Sequence, residues 1–135
     1  MAKEKEITAH IESNGKGFFS VYVVEDLPYS IIGDGFSVDE AKENFLAVYE
    51  ESRRDYCETT GKDEAFSFKF VMDASAFLQQ YKGILSLSGL SKLTGINKAQ
   101  LSQYVCGKRN PSPKTQEKIK KAVTDFAQEL SQSFA

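Results

Sequence analysis

The sequence predicts a two-part chain, with an α+β domain at residues 1–72 followed by an all-α domain at residues 73–135. Short stretches in the first part alternate apolar and polar residues, whereas apolar residues in the second part recur at helical spacing. The net charge also changes from negative to positive between the two parts. The first part holds eight basic and fifteen acidic residues, and the second holds nine basic and four acidic residues. A length of 135 residues is enough for two small domains.

Three strands are expected before the first helix, at residues 7–11, 18–24 and 29–32. The first alternates apolar and polar residues, and the second is rich in β-branched and aromatic residues. Asn14–Gly17 fits a hairpin turn between them, because asparagine and glycine tolerate positive φ. Leu27-Pro28 ends the second strand. Gly33–Gly35 is expected to be a turn that closes the third, with Asp34 as a turn residue.

A helix and a fourth strand complete the first domain. Ser37 and Glu40 have the spacing of a capping box, so the helix is expected to begin at Ser37 and to stop at Gly61. Phe66–Met72 alternates most clearly of all. The order is therefore βββαβ, with one helix packed on one face of a small sheet. The expected core residues are Ile7, Ile11, Val21, Val23, Phe45, Phe68 and Phe70.

Helices are expected at both ends of the second domain. Asp73 can cap a helix at about Ala74–Lys82, closed by Gly83, and its buried side chains are expected to be Phe77, Leu78 and Tyr81. Ser112-Pro113 has the cap and first-turn proline of a last helix. The apolar stripe of that helix consists of Ile119, Val123, Phe126 and Leu130.

The segment between these helices, LSGLSKLTGINKAQLSQYVCGKRNP, has the spacing of a helix-turn-helix. Leu90 and Leu93 repeat at helical spacing, Gly95 interrupts, and the period then resumes. Glycine can adopt the positive φ of a tight turn between helices. The two helices are expected at about 88–94 and 97–106.

The second of these helices is expected to present polar side chains to solvent, namely Asn97, Lys98, Gln100, Ser102 and Gln103. Amide and hydroxyl groups hydrogen-bond base edges in the DNA major groove. Between Ser86 and Lys121 eight basic residues accompany one acid, Glu117. A solvated lysine-rich surface is the alternative explanation. The coincidence of helix-turn-helix spacing with the basic stretch favours nucleic-acid binding.

Two family resemblances cover nearly the whole chain. TGINKAQLSQYVCGKRNPS resembles the XRE, or lambda-repressor-like, helix-turn-helix family. GKGFFSVYVVEDLPYSIIGDG, followed by SVDEAKENF, resembles the HicB antitoxin domain. In this order they imply an antitoxin of a HicA–HicB type toxin–antitoxin pair. HicB sequences typically carry Pro-Asp-Leu-Pro-Gly-Cys after the second strand. This chain has Glu25–Tyr29 there and lacks the Gly and Cys.

The resemblance implies two binding activities. A partial RNase H-like first domain would bind and mask a small basic mRNA-cleaving toxin of the HicA type. The second domain would bind operator DNA, with Lys98, Ala99 and Gln103 toward bases and Asn97 and Ser102 beside them. The residues expected to hold phosphates are Ser88, Lys108, Arg109 and Asn110, although Ser88 equally fits a plain helix cap. Repressors of this type span two half-sites, so a homo-oligomer, dimer or higher, is expected.

Other function classes find less support. A stand-alone transcriptional regulator, whose first domain dimerises or senses another ligand, stays an alternative. A nuclease needs carboxylates around divalent metals, but the available Asp26, Asp34, Asp39 and Glu40 fit turn and helix-start positions. His10 is the only histidine, and Cys57 and Cys106 lack metal-site spacing. We therefore expect that the chain is not an enzyme and that it binds no cofactor or metal. With no apolar run for a membrane span and no signal-peptide pattern, a cytoplasmic protein is expected.

Overall fold

The computed structural model describes residues 4–134. Its elements, in chain order, are β1 (Lys5–Ser13), β2 (Phe19–Tyr22), β3 (Ile32–Gly35), α1 (Val38–Thr60), β4 (Phe66–Met72), α2 (Ala74–Tyr81), α3 (Leu87–Thr94), α4 (Lys98–Val105) and α5 (Pro113–Ser133). The chain divides into two compact units. The first contains the chain up to Ser13 and Gly17–Met72, and the second contains Asn14–Lys16 and the chain from Asp73 onward.

The first unit is an α+β structure built on a mixed four-stranded sheet. The strand order is β3-β2-β1-β4. β1 and β2 are antiparallel, as are β2 and β3, whereas β1 and β4 are parallel. Ile11 of β1 lies opposite Val21 on one side and Met72 on the other. Helix α1 connects β3 to β4, and the long connection is what allows β1 and β4 to run parallel.

The core of the first unit lies between the sheet and α1. Of the core residues expected from the sequence, Ile7, Ile11, Val21 and Phe45 are fully buried. Phe68 and Phe70 are half-buried and meet the Phe45 ring edge to face, with centroids 4.9 and 5.8 Å away. Val23 is half-buried as well, because β2 ends at Tyr22 and Val23 follows the strand.

The third strand differs from the expectation. It occupies Ile32–Gly35 instead of residues 29–32, so Asp34 is a strand residue and not a turn residue. Gly33 and Gly35 lie directly under α1, where an added Cβ would come within 2.4 Å of the Phe45 nitrogen and 2.6 Å of the Ala41 nitrogen. These glycines are therefore required by the close approach of strand and helix, a tertiary reason that local sequence does not reveal.

Side chains fix both sides of this strand–helix junction. The Asp34 backbone N–H donates to Asn44 Oδ1 at 2.9 Å, and the Ser20 hydroxyl donates to Asp34 Oδ1 at 2.8 Å. At the start of α1, Ser37 Oγ accepts from the Glu40 N–H at 3.0 Å. Glu40 reaches back to the N–H of Phe36, one residue before the cap. The predicted helix start is confirmed.

The second unit contains helices α2, α3, α4 and α5 around a separate core. The large side chains that are almost completely buried in it are Leu78, Leu90, Leu101, Tyr104 and Ile119. Asp73 caps α2 as expected, accepting from the Ala76 N–H at 2.8 Å. The expected buried face of α2 was partly wrong, since Phe77 and Tyr81 are only half-buried. The helix instead turns Ala74, Ala76 and Gln79 inward beside Leu78.

We expect Phe45→Ala to destabilise the first unit strongly. The ring is completely buried and its removal leaves a cavity between α1 and the sheet. Large-to-small changes of this kind cost about 3–5 kcal/mol. Leu46→Ala on the same helix is the matched control, because Leu46 is 41% exposed. Urea unfolding monitored by circular dichroism measures both, and equal losses for the two variants would contradict the assigned core.

Candidate nucleic-acid interface

Helices α3 and α4 are joined by a short, well-bonded turn. Ser86 caps α3 by accepting from the Gly89 N–H at 3.0 Å. Gly95 ends α3 with φ of 76°, the left-handed conformation expected from the sequence. The buried Thr94 hydroxyl donates to the Leu90 carbonyl at 2.7 Å and accepts from the Ile96 N–H at 3.1 Å. The turn therefore fixes where α4 begins.

Burial on one side of α4 decides which side chains are exposed on the other. Leu101 is 0% and Tyr104 is 2% exposed, and both belong to the core of the second unit. With 3.6 residues per turn, the opposite face carries the remaining positions of the helix. The sequence-predicted residues on that face are all exposed, and they are Lys98, Ala99, Ser102 and Gln103.

Two further polar residues have structural tasks. Asn97 is the N-cap of α4, and its Oδ1 accepts from the Gln100 N–H at 2.8 Å. Gln100, expected to point into solvent, instead donates from Nε2 to the Tyr104 hydroxyl at 2.6 Å. The expectation for Gln100 was therefore wrong, because a buried tyrosine needs a partner for its hydroxyl. Asn97 is exposed, but its carbonyl oxygen is occupied.

A glycine also ends α4. Gly107 has φ of 76°, its N–H donates to the Tyr104 carbonyl, and the Lys108 N–H donates to the Gln103 carbonyl at 3.0 Å. This pair of bonds is a Schellman motif. The Arg109 N–H donates to the same Gln103 carbonyl at 3.3 Å. Lys108 and Arg109 are exposed, so their side chains, and not their backbone N–H groups, are available to an anion.

Ser88 is exposed in the first turn of α3. The cap of that helix is Ser86, so the alternative explanation of Ser88 as a helix cap was wrong. Cys106, which the sequence suggests is a packing or incidental surface residue, is free and exposed at the end of α4.

The basic residues on and just beyond α4, namely Lys98, Lys108 and Arg109, form no ion pairs with acidic side chains of the described residues. Within residues 4–134 the ion pairs are Arg53–Asp63 and Lys121–Asp125, each at 2.7 Å. Neither includes Lys98, Lys108 or Arg109. Their positive charges therefore face solvent, which is the arrangement that attracts a polyanion.

The first unit offers an acidic cleft of about 520 Å³. Its charged lining residues are Glu4, Asp26, Asp63 and Glu64 against Lys5 and Arg53. The hydrogen bond from Arg53 holds the pKa of the Asp63 carboxyl below its usual range. Nearby, burial raises the pKa of Tyr29 to about 12, and the neighbouring Tyr49 adds to the effect. Asp63 stays ionised and its ion pair with Arg53 neutralises the positive charge of Arg53. The remaining charged residues of the cleft are Glu4, Asp26 and Glu64 against Lys5, so the cleft has a net negative charge.

The remaining chemical groups of the first unit are dispersed. His10 is half-buried and stacks on Tyr22, with ring centroids 5.5 Å apart. Among the described residues, no three His, Cys, Asp or Glu side chains are close enough together to hold a metal ion. In the same part of the chain, none of the helices combines the length and apolar character that crossing a membrane demands.

The chain matches no protein-family model, no curated protein and no solved structure. The geometry of α3 and α4, with an exposed polar face and basic residues just beyond it, is therefore the main ground for a functional proposal. Its strength lies in the combination of a fixed turn, a buried inner face and unpaired cations.

Alanine substitutions at Gly95 and at Gly107 should distinguish backbone strain, which the two positions share, from steric crowding, which is expected only at Gly107. Both residues have φ of 76°, and alanine in that conformation costs about 1 kcal/mol. At Gly95 the nearest atom to an added Cβ is Lys118 Nζ at 3.9 Å, so no further cost is expected. At Gly107 the Cβ would lie 2.5 Å from the carbonyl oxygen of Asn14, which belongs to the same unit.

Amide exchange of Leu101 and Tyr104 measures the stability of the second unit in both variants. Gly107→Ala should lower protection clearly more than Gly95→Ala. A smaller loss for Gly107→Ala would show that the loop from Asn14 to Lys16 is not held against the end of α4.

Proposed function

We propose that this chain is a HicB-type antitoxin that represses its own operon. Its second unit binds operator DNA by a helix-turn-helix, and its first unit, a partial RNase H-like domain, binds and masks a small basic mRNA-cleaving toxin of the HicA type. The two activities rest on different observations, and each has its own test.

The exposed face of α4 carries the DNA-binding half of the proposal. A helix of this kind fits the B-DNA major groove, and its first residues contact base edges. Gln103 can pair with adenine through two hydrogen bonds, Lys98 can donate to guanine, and the Ala99 methyl group can touch thymine. Ser102 is beside them. Asn97 can offer its side-chain N–H groups for such a contact, while its oxygen accepts the N-cap hydrogen bond of the helix.

Phosphate contacts are proposed at both ends of the helix-turn-helix. Lys108 and Arg109 follow α4 as exposed cations, and Ser88 offers a hydroxyl from the first turn of α3. Contacts of this type position a protein on DNA without selecting a sequence. Their binding free energy comes largely from the release of counterions, which makes it dependent on salt.

Charge supports the toxin-binding half. The first 72 residues hold fifteen acids against eight bases, and opposite charge speeds encounter with a basic partner. The acidic cleft concentrates part of that charge at Asp26, Asp63 and Glu64. The resemblance to HicB supplies the identity of the partner, although this chain lacks the Gly-Cys pair that the family carries after Pro28.

Gln103→Ala should relax base preference at one operator position. Loss of a two-bond contact costs about 1–3 kcal/mol of discrimination between bases, so the preference at that position should fall roughly tenfold or more. Mobility-shift titrations against a set of single-base operator variants measure it. If Gln103→Ala discriminated among all operator variants as the parent does, the placement of α4 in the groove would be wrong.

Lys108→Ala combined with Arg109→Ala should weaken binding to every DNA sequence equally. The slope of log binding constant against log salt should decrease by about 2, since two phosphate contacts are lost. Lys62→Ala combined with Lys69→Ala removes the same charge from exposed positions of the first unit and serves as the control. Equal salt slopes for the two double variants would contradict the proposed phosphate contacts.

Co-expression with a small basic toxin of the HicA type tests the toxin-binding half. A stable complex and rescue of growth are expected, and Asp26→Lys with Glu64→Lys should weaken the complex, whereas Glu43→Lys on α1 should not. Binding to operator DNA without any toxin complex would favour the stand-alone regulator. Metal-dependent RNA cleavage by the purified chain would favour a nuclease.

A further inference from the structure

The hairpin turn Asn14–Lys16, which connects β1 to β2, belongs to the second unit. Within the turn, Asn14 Oδ1 accepts from the Lys16 N–H at 2.7 Å. Asparagine forms such a bond to the backbone two residues later in an Asx turn. Gly15 between them has φ of 79°. Lys16 contributes only its backbone to this bond, and its side chain is exposed.

The buried side chain of Gln79 joins this hairpin turn to the end of α4. Gln79 is 6% exposed, and its Nε2 donates to the Gly15 carbonyl at 2.8 Å and to the Val105 carbonyl at 2.6 Å. An amide nitrogen has two N–H groups, so both are used. Because a buried amide without partners is costly, one side chain fixes the positions of the turn and of the last residue of α4 together.

The bond from Gln79 also completes the C-terminal end of α4. The last four carbonyl groups of a helix have no partner within the helix. Here the carbonyls of Ser102, Gln103 and Tyr104 accept from backbone N–H groups of residues 106–109. The carbonyl of Val105 accepts from Gln79. The residue that holds the hairpin turn is therefore part of the C-terminal cap of α4.

A contact between two glycines brings the hairpin turn against the residues that follow α4. A Cβ added to Gly15 would overlap the Cα and nitrogen atoms of Gly107 and would lie 2.6 Å from the carbonyl carbon of Cys106. The backbones at positions 15 and 107 are therefore in direct contact. Lys16 and Lys108 are the next residues of the two segments, and consecutive Cα atoms are about 3.8 Å apart. The two lysines are consequently neighbours on the surface of the second unit.

The sequence around this contact is basic. Residues 13–24 and 97–116 contain no acid, and their bases are Lys16, Lys98, Lys108, Arg109 and Lys114. None of these bases takes part in the ion pairs found within residues 4–134. By position in the sequence Lys16 falls in the acidic part of the chain, whereas its contacts place it in the basic unit.

We infer that the hairpin turn is part of the DNA-binding surface and that Lys16 donates to a backbone phosphate of the DNA, beside the phosphates proposed for Lys108 and Arg109. The inference rests on the proposed function and adds a contact from outside the helix-turn-helix segment. A lysine ammonium binds phosphate as a point charge. Such a contact adds affinity and orients the protein on the duplex without selecting a sequence.

The salt dependence of DNA binding tests the role of Lys16. The probe is a mixed-sequence DNA duplex of about two helical turns, and fluorescence anisotropy measures binding over a range of salt concentrations. Lys16→Ala should decrease the slope of log binding constant against log salt by about 1, because one phosphate contact is lost. Lys62→Ala removes an exposed lysine of the first unit and should keep the slope of the parent.

The same titrations separate the inference from the proposed function. If Lys16→Ala kept the slope of the parent while Lys108→Ala with Arg109→Ala decreased it, the inference would be overturned and DNA binding by the helix-turn-helix would stand. A parent chain that bound no duplex at any salt concentration would overturn both.

Alanine at Gly15 tests whether the glycine contact places Lys16. Gly15→Ala keeps every charge but forces the hairpin turn away from Gly107, so the slope should decrease by about 1, as for Lys16→Ala. Gly17→Ala is the control, because Gly17 has φ of 84° and an added Cβ there meets nothing within 4 Å. Combining Gly15→Ala with Lys16→Ala should decrease the slope no further. Equal slopes for Gly15→Ala and Gly17→Ala would show that the turn does not place Lys16 at the DNA.

Discussion

Burial of Leu101 and Tyr104 is the contact on which the arrangement of the second unit depends. α4 has eight residues, and isolated helices of that length are not stable in water. Their packing in one core with Leu78, Leu90 and Ile119 holds the helix and also sets its rotation. Every residue on the opposite side is exposed for this one reason. Gln100 extends the constraint, because it satisfies the Tyr104 hydroxyl within the same helix.

The two units differ in charge as well as in architecture. An acidic sheet unit and a basic helical unit give a sequence pI of about 5.5 for the whole chain, a value that describes neither part. Fields of opposite sign favour different partners, a cationic one for the first unit and a polyanion for the second. The charges that would attract the two proposed partners therefore lie on different parts of the chain.

Sequence patterns captured what is decided locally. The caps at Ser37, Asp73 and Ser112, and the left-handed glycine at position 95, follow from residues within one turn of chain. The position of β3 did not, because Gly33 and Gly35 are selected by the closeness of α1. At the candidate interface the exposed face of α4 was predictable from helical spacing. The internal bonds of Asn97 and Gln100 were not, since both depend on where the helix starts and what lies beneath it.

The hydrogen bond between Asn44 and the Asp34 backbone bears on whether another chain can add a strand to the edge of the sheet. β3 is the last strand on its side of the sheet, and unpaired backbone groups on such a border recruit strands from other chains. Asn44 occupies the N–H in the middle of that border, and Gly33 and Gly35 draw the strand tightly beneath a helix. A strand added along β3 would therefore have to displace the Asn44 side chain from the Asp34 N–H.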